Sequence, residues 1–517
     1  MICDFRAAIL IFANSRPIFL LHFKGVSTRM GRVPNGKETT MFIGRAQELE
    51  ALEGLWGKLS SSFVVCSGRR RVGKSTLVEE FAARSKCRFV EITGVAPDEG
   101  VTNETQLRHF CERLAAQTGT PEARADGWAK AFDALAAAVK GRARTVVVLD
   151  EVSWMGAFDK TFPALLKEAW DTKFARRDNL VFVVCGSVSA WLRDNILRSK
   201  AFVGRVSLAL HLEEMPMRDC RAFWGPAAER TPVRDVVDTL CVTGGIPKYL
   251  AEMRPALSPA ENVRRLCFTP EGYLFRDFDV IFTDVFRKSA GEKAAILRLV
   301  AETPRSVKDV AAALGGPSNG HVSDALADLV EAGFLSADEG LNPATGRDVR
   351  EVRYRIRDNY VRFYLKFVEP RRKAVEDGSL RLVSPERLPG WDTVMGLQFE
   401  TLVRNNLRSL LPLVGMDGTR LVSAAPYVVR GKKKGEGAQI DLLLQTAKSA
   451  CLVEIRRQAL VPASFEDEMR RKVAALRLPR GIAVRTALVH DGDVAPELAE
   501  NRYVDFLVPV ERLFGMP

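Results

Sequence analysis

The sequence predicts an α/β protein in which a parallel sheet is covered by helices on both faces. Short apolar runs, each of the length of a buried strand, alternate with helix-patterned segments. These runs are residues 63–65, 88–93, 145–149 and 180–185. After about residue 215 the strand signal gives way to helical sequence, and a second α/β pattern returns near residue 390. A chain of 517 residues, at roughly 150 residues per domain, should hold three or four such units.

Composition excludes several classes of protein. Hydrophobic residues make up 47% and charged residues 27%, which is typical of globular domains and excludes disordered or fibrous chains. No run approaches the ~18–20 apolar residues of a membrane helix, so no membrane partner is expected. Nine cysteines without a C-x-x-C pair, and five histidines without zinc spacing, indicate buried thiols in a reducing, cytoplasmic setting. The net charge of +12 permits a nucleic acid or an acidic partner.

The pattern divides the chain into five parts. Residues 1–40 are predicted to be a disordered extension or to follow a misassigned start, because Pro17 breaks their apolar stretch. The predicted domains are a nucleotide-binding domain (41–215), a helical lid (216–290), a winged helix-turn-helix (291–370) and an α/β domain (390–517).

A glycine-rich stretch between the first strand and the next helix fits the pattern G-x-x-x-x-G-K-[ST]. Glycines let the backbone wrap phosphates, and the N–H groups at the helix amino terminus point at them. Lys74 is predicted to neutralise the β- and γ-phosphate oxygens, and the Ser75 hydroxyl to bind Mg²⁺. The predicted nucleotide contacts are Gly68, Arg69, Arg70, Arg71, Val72, Gly73, Lys74, Ser75 and Thr76.

Two later strands end in polar residues at the same predicted sheet edge. Asp150 follows the apolar run 146–149 and is predicted to hold Mg²⁺ through water, while Glu151 polarises the attacking water. Ser187 follows the next strand and is assigned as a γ-phosphate sensor, with a helix-capping serine as the alternative.

Five motifs together resemble the archaeal-type ATPase family of STAND/AAA-like P-loop NTPases. They are FIGR (42–45), GRRRVGKST (68–76), VLDE (148–151), GGIPKYL (244–250) and YRIRDNYVRFYLKF (354–367). The resemblance implies that ATP is the nucleotide and that Ile43, Gly44 and Arg45 lie near the adenine. It also implies that a Gly-x-Pro motif, Gly245 to Pro247, closes over the nucleotide from the lid. Arg205 matches an arginine that would read the γ-phosphate in cis or in trans, with a surface ion pair as the alternative.

The third helix of the predicted winged helix, 318–332, is acidic and contains no lysine or arginine. Such a helix cannot gain binding free energy by releasing counterions from DNA, because it lacks these cationic side chains. A lid that packs on the ATPase is therefore the preferred interpretation. A basic tract follows, and Arg353, Arg355 and Arg357 alternate on one strand face of it. This face is either a solvated wing or a surface that contacts DNA or RNA.

The last domain resembles PD-(D/E)XK nucleases. Glu400, Asp441 and Glu454 would be the carboxylates of a Mg²⁺ site, but Arg456 stands where that pattern has lysine. Arginine stays protonated and cannot act as a base, so a vestigial site is expected. The loop Lys432–Lys434 is a candidate for holding nucleic acid.

We therefore predict a cytoplasmic, Mg²⁺-dependent ATPase that works as a nucleotide-controlled switch. The alternatives are an ATP-regulated nuclease that acts on DNA and an ATP-binding adaptor with little turnover. The intact Glu151 favours turnover. The sequence identifies no partner protein and leaves a homo-oligomer open.

Overall fold

A computed structural model describes residues 42–516, with gaps at 188–189, 287–288, 317–319, 344, 349–350, 419, 430–436 and 477. The predicted extension 1–40 and the Lys432–Lys434 loop lie outside the described residues. The account below concerns the unit that begins at Ile43.

The first part of this unit is a five-stranded parallel sheet flanked by helices. Its strands are β1 (Ser62–Gly68), β2 (Arg88–Thr93), β3 (Thr145–Asp150), β4 (Leu180–Gly186) and β5 (Val206–Leu212), in the order β2-β3-β4-β1-β5. Its helices are α1 (Ala46–Glu53), α2 (Lys74–Arg84), α3 (Asn103–Thr118), α4 (Trp128–Ala138), α5 (Val152–Met155), α6 (Phe162–Ala169) and α7 (Ala190–Leu192). Successive strand residues such as Val64 and Val65 point to opposite faces, and both are fully buried. The sheet is therefore covered on both faces, which confirms the predicted fold class.

The next segment is helical, as the fading strand signal indicates. It contains α8 (Met217–Cys220), α9 (Val233–Thr243), α10 (Pro247–Ala251), α11 (Pro259–Cys267) and α12 (Tyr273–Phe286). Ser258 caps α11, because its hydroxyl accepts a hydrogen bond from the backbone N–H of Glu261.

Three helices and a two-stranded antiparallel sheet follow, which is the element order expected of a winged helix. They are α13 (Ala290–Glu302), α14 (Val307–Ala313), α15 (Gly320–Glu331), β6 (Leu335–Asp338) and β7 (Arg353–Ile356). Ser306 caps α14, as its position predicts. Two short helices, α16 (Asn359–Phe363) and α17 (Arg372–Glu376), lead on toward the last domain.

The last domain is built on a mixed five-stranded sheet. Its elements are α18 (Trp391–Asn405), α19 (Leu407–Leu413), β8 (Ser423–Val429), β9 (Ala438–Gln445), β10 (Ser449–Val461), α20 (Phe465–Ala475), β11 (Ala483–Val494), α21 (Pro496–Glu500) and β12 (Phe506–Pro509). The strand order is β12-β11-β10-β9-β8, antiparallel from β8 to β10 and parallel from β10 to β12. Across the described ranges, no helix is both long and apolar enough to cross a bilayer.

Candidate functional site

The turn between β1 and α2 depends on two glycines. Gly68 has a φ of +152°, and a Cβ there would lie 2.5 Å from the carbonyl oxygen of Leu212. Gly73, with a φ of +91°, immediately precedes α2. Because a side chain is excluded at the first position and strained at the second, only glycine allows the tight turn that ends at a helix amino terminus.

Lys74 opens α2 and folds its side chain back over the turn. Its Nζ donates to the carbonyl oxygens of Gly68 (3.0 Å) and Arg69 (3.2 Å), and 7% of the residue is exposed. The ammonium therefore lies inside the turn, where phosphate oxygens can replace the carbonyls as its partners. Val72 is buried behind the turn, whereas Thr76 is exposed on α2.

The polar residues at the ends of β3 and β4 form a chain of contacts that begins at α2. Ser75 Oγ donates to Asp150 Oδ2 at 2.9 Å, and Asp150 Oδ1 accepts the Glu151 backbone N–H at 2.9 Å. Ser187 Oγ donates to Glu151 Oε2 at 3.2 Å. A hydroxyl beside a carboxylate is an oxygen donor set that suits Mg²⁺, so these residues fit the predicted metal.

Arg45 supports the turn from behind. Only 6% of the residue is exposed, and its Nη2 donates to the carbonyl oxygens of Val72 (3.2 Å) and Glu213 (2.5 Å). Arg45 thus links the turn to the segment after β5 through backbone contacts. That the segment from Ile43 to Arg45 lies near the adenine stays a prediction.

Two glycines outside the turn, one at residue 44 and one in the Gly-x-Pro motif, both pack against Met215. A Cβ at Gly44 would lie 2.5 Å from Met215 Cε, and one at Gly245 would lie 2.1 Å from the Met215 carbonyl oxygen. The Met215 N–H donates to the Gly245 carbonyl oxygen at 2.7 Å, and Pro247 begins α10. The lid motif is therefore anchored close to residues 43–45.

Arg69 reaches from the turn into the segment after β7. Its guanidinium forms an ion pair with Asp358 and lies 4.9 Å from the ring centroid of Phe334. Sequence reasoning missed Asp358 as a site residue, although it lies within the motif at 354–367.

The other two arginines of the turn contact two further elements. Arg71 forms an ion pair with Asp277 on α12, and Asp277 Oδ2 accepts the Tyr249 hydroxyl at 2.7 Å. Arg70 lies 5.6 Å from the ring centroid of Trp154 on α5, the helix that begins directly after Glu151. No local pattern marks Asp277, so the sequence alone offered no signal for it.

Arg205 lies at the opposite end of the sheet from the turn. It precedes β5, whose last residue, Leu212, pairs with Gly68 in parallel register. Its Nε and Nη2 donate to the Asp171 carboxylate at 2.7 and 2.8 Å, and these bonds lower the pKa of Asp171 to about 2. This placement argues against the predicted role in cis, because the length of the sheet separates Arg205 from the phosphate site. A role in trans stays a prediction.

The acidic helix α15 is held by basic residues. Asp328 forms an ion pair with Lys293 on α13 at 2.7 Å, and Glu331 pairs with Arg193, which follows α7 beside the parallel sheet. Two of the three acids of α15 therefore contact basic residues, whereas Asp324 is exposed, and the role of this segment as a lid stays a prediction.

The expected row of guanidinium groups on the wing is not one exposed surface. Arg355 pairs with Asp338 and Arg357 pairs with Glu213, while Arg353 is exposed. Acidic residues on β6 and after β5 neutralise two of the three groups, and contact of this face with DNA or RNA stays a prediction.

Three of the four predicted C-terminal site residues come together around two cations, whereas the fourth, Glu400, pairs with Arg404 at 3.6 Å. Arg456 Nη1 contacts Asp441 Oδ2 at 3.0 Å, and its Nη2 contacts Glu454 Oε2 at 2.9 Å and Glu468 Oε1 at 2.6 Å. Lys472 Nζ lies 2.6 Å from the same Glu454 oxygen and 2.8 Å from Glu468. We call Asp441, Glu454, Arg456, Glu468 and Lys472 the C-terminal charge cluster. The lysine absent from β10 is thus supplied by α20, where the Glu468 to Lys472 spacing of one helical turn was an available signal.

Burial and repulsion between carboxylates raise the pKa of two acids of this region, Glu454 and Glu400. Burial, with the Asp441 carboxylate second, raises the pKa of Glu454 to about 8, although Lys472 and Arg456 oppose the shift. The same two causes raise the pKa of Glu400, which lies on α18. A cavity of about 380 Å³ opens beside Arg456 and is also lined by Phe465 and Arg471.

The C-terminal charge cluster does not fit a metal ion. Arginine and lysine nitrogens already contact the carboxylate oxygens that would be its ligands. Among the residues that the structure describes, no group of three or more His, Cys, Asp or Glu side chains is arranged to hold a metal.

Residues 42–253 match a family model described as an ATPase domain predominantly from Archaea. An uncharacterized protein of Methanocaldococcus jannaschii is 20% identical over 420 residues, which cover 80% of this chain and 87% of that protein. An uncharacterized ATP-binding protein of the same organism is 38% identical over 52 residues, which cover 10% of this chain and 88% of that protein.

Two solved structures resemble the chain at low identity. A Walker-type ATPase of Pyrococcus abyssi is 16% identical, with a TM-score of 0.46, over 63% of this chain and 96% of that one. The ORC2 protein of Aeropyrum pernix is 16% identical, with a TM-score of 0.38, over 64% and 95%. The range matched by the family model includes the glycine-rich turn, Asp150, Glu151 and the lid motif that begins α10.

Proposed function

This chain belongs to the archaeal-type ATPase family through residues 42–253, and on that premise we propose that it is a Mg²⁺-dependent ATPase acting as a nucleotide-controlled switch. ATP binding follows from the family. Mg²⁺ dependence, turnover and the switch of the STAND-like class are the proposed parts.

The contact between Ser75 and Asp150 is the observation that carries the proposal. Ser75 begins the helix after the glycine-rich turn, and Asp150 ends a different strand, yet Oγ and Oδ2 are 2.9 Å apart. A bound Mg²⁺ would neutralise phosphate charge here. Ser75 would bind it directly and Asp150 would hold it through water, while Lys74 donates to the phosphate oxygens.

Glu151 supports hydrolysis over simple binding. It occupies a left-handed backbone conformation, with a φ of +47°, directly after β3 and is 8% exposed. The Ser187 hydroxyl holds one carboxylate oxygen at 3.2 Å. A carboxylate fixed in this way beside the phosphate site is suited to accept a proton from the attacking water.

The switch is supported by the contacts of the turn with segments outside the parallel sheet. Arg71 pairs with Asp277 of the lid, and Arg69 pairs with Asp358 after the wing. A separate ion pair joins Glu331 of α15 to Arg193 beside the parallel sheet. Any rearrangement of the turn on nucleotide binding would disturb contacts with both the lid and the wing.

Phosphate release in the presence of Mg²⁺ tests this function, with and without DNA, on the wild type and on Glu151→Gln. The variant keeps the shape of the side chain but cannot take the proton, so turnover should fall about 10²-fold or more while ATP still binds. A wild type that binds ATP but releases no phosphate under either condition would favour the adaptor alternative instead. We do not propose the nuclease alternative, because Arg456 and Lys472 of the chain itself already contact the carboxylates that it needs.

A further inference from the structure

The ion pair between the phosphate-binding turn and Asp358 continues into the last domain. We propose that Asp358 is a positioning residue through which the nucleotide state of the turn reaches α18. This inference rests on the proposed function and names the regulatory contact of the same site.

The pair itself is almost completely buried. Side-chain exposure is 7% for Arg69 and 1% for Asp358, and the Phe334 ring covers the guanidinium. A second, half-buried acid, Glu214, lies nearby. Loss of hydration and the Asp358 charge raise its pKa to about 7, and Arg69 opposes that rise. Because an unpaired buried charge is costly, Arg69 and Asp358 must move together or separate at a large cost.

Arg69, the partner of Asp358 in the turn, contacts the Lys74 ammonium of the phosphate site. Lys74 Nζ donates to the carbonyl oxygen of Arg69 at 3.2 Å. When phosphate oxygens recruit the same ammonium, the Arg69 carbonyl loses a charged partner. Phosphate binding therefore acts directly on the residue whose side chain holds Asp358.

Asp358 in turn fixes the start of α16. Its Oδ1 accepts the Val361 backbone N–H at 3.1 Å, which makes it the helix cap. One side chain of α16, Asn359, donates to the carbonyl oxygens of Leu240 on α9 (3.3 Å) and Gln398 on α18 (3.2 Å). The short helix is therefore tied both to the lid and to the last domain.

Arg362 makes the second connection from α16 to α18. Its Nη1 donates to Gln398 Oε1 at 2.7 Å and to Thr401 Oγ1 at 2.9 Å, and 6% of the residue is exposed. Helix α18 also carries Glu400, whose pKa is raised by burial first and by the neighbouring Asp441 charge second. A shift of α16 would thus move the helix that borders the C-terminal charge cluster.

Hydrogen exchange of α18 with and without nucleotide tests the inference on the full chain. The probes are Mg²⁺ with a non-hydrolysable ATP analogue and Mg²⁺ with ADP, and nucleotide affinity is measured in parallel. The variant is Asp358→Asn, because asparagine also caps helices and so retains α16. The control is Asp338→Asn, which breaks a buried arginine pair on the wing without contacting the turn.

In the wild type and in Asp338→Asn, we expect the ATP analogue to change exchange in α18 relative to ADP. In Asp358→Asn, we expect nucleotide still to bind and the α18 response to be lost. If Asp358→Asn fails to fold, Asp358→Glu keeps a carboxylate for Arg69 but is a poorer helix cap for α16, and it should weaken the same response while nucleotide still binds.

Two results would overturn the inference. If nucleotide binds the wild type but α18 exchange does not respond, or if the Asp358 variants keep the full response, Asp358 is structural only and the proposed function is unaffected. If the wild type binds no nucleotide, the proposed function fails, and the inference fails with it.

Discussion

Two regions of this molecule place carboxylates beside basic residues, at the end of β3 in one region and within β9 and β10 in the other, and they use them in opposite ways. At the parallel sheet, Asp150 and Glu151 contact hydroxyls of Ser75 and Ser187. In the C-terminal charge cluster, by contrast, Asp441 and Glu454 contact the nitrogens of Arg456 and Lys472.

The difference lies in what satisfies the negative charge. A hydroxyl donates one hydrogen bond and leaves the carboxylate its charge, so a cation can still be attracted. A guanidinium or ammonium supplies both the hydrogen bond and the charge, which removes the reason to bind a metal. The first region is therefore organised to receive a charged ligand, whereas the second is a closed ion-pair network.

The comparison would be broken most directly by removing the cation of the first region. Lys74→Ala deletes the ammonium inside the glycine-rich turn, so ATP affinity should fall by roughly 1.5–3 kcal/mol, the scale of a charge-assisted hydrogen bond. Calorimetric titration with ATP measures the change, and Lys86→Ala, outside the turn, serves as control. Unchanged affinity in Lys74→Ala would contradict the assignment of the site.

Removing a cation from the second region should instead reduce stability. Arg456→Met removes the ion-pair partner of Asp441 and leaves Glu454 with Lys472, so the free energy of unfolding should fall by about 1–3 kcal/mol. Denaturant unfolding measures it, with Arg471→Met as the control because Arg471 is exposed beside the same cavity. Equal stability of the two variants would show that the network does not hold the domain together.

A smaller expected effect is a pH dependence of the free energy of unfolding, which arises from a carboxylate in the first region. Burial, followed by the Asp150 and Glu79 charges, raises the pKa of Glu91 from 4.5 to about 7. The folded protein then holds this proton more tightly than the unfolded chain, so the free energy of unfolding should decline as pH rises from about 4.5 to 7. Water screens the half-buried carboxylate, which keeps the effect small.

Glu91→Gln should flatten that decline and gain stability relative to the wild type above pH 7. Thermal unfolding across this pH range measures the slope, and Glu122→Gln, an exposed glutamate, provides the comparison. A slope that Glu91→Gln leaves unchanged would assign the titration to another group.

The site at the parallel sheet was predictable from sequence because its determinants are local. Gly68 and Gly73 set the turn, and the strand runs before Asp150 and Ser187 bring their ends to one edge of a parallel sheet. The structure brings Ser75 and Asp150 into contact, as that pattern requires.

The contacts of the turn with other segments were not predictable in the same way. Asp277 and Asp358 are far from Arg71 and Arg69 in sequence, and helix periodicity does not specify which distant charge a side chain meets. Similarly, the alternation of Arg353, Arg355 and Arg357 is a local signal that says nothing of the acids opposite. Long-range ion pairs depend on the packing of whole elements, which a single sequence does not encode as a pattern.

The buried Arg362 limits which domain could replace the last domain of this chain. No carboxylate is among its hydrogen-bond acceptors: Ile356 O, Leu397 O, Gln398 Oε1 and Thr401 Oγ1. Three of these four acceptors lie on α18, so the last domain supplies most of the solvation of a charge that belongs to the preceding one. A different domain grafted after residue 390 would have to present neutral oxygens at the same places. The boundary between the last domain and the segment before it is thus visible in the sequence, but separating them would leave Arg362 without most of its hydrogen-bond acceptors.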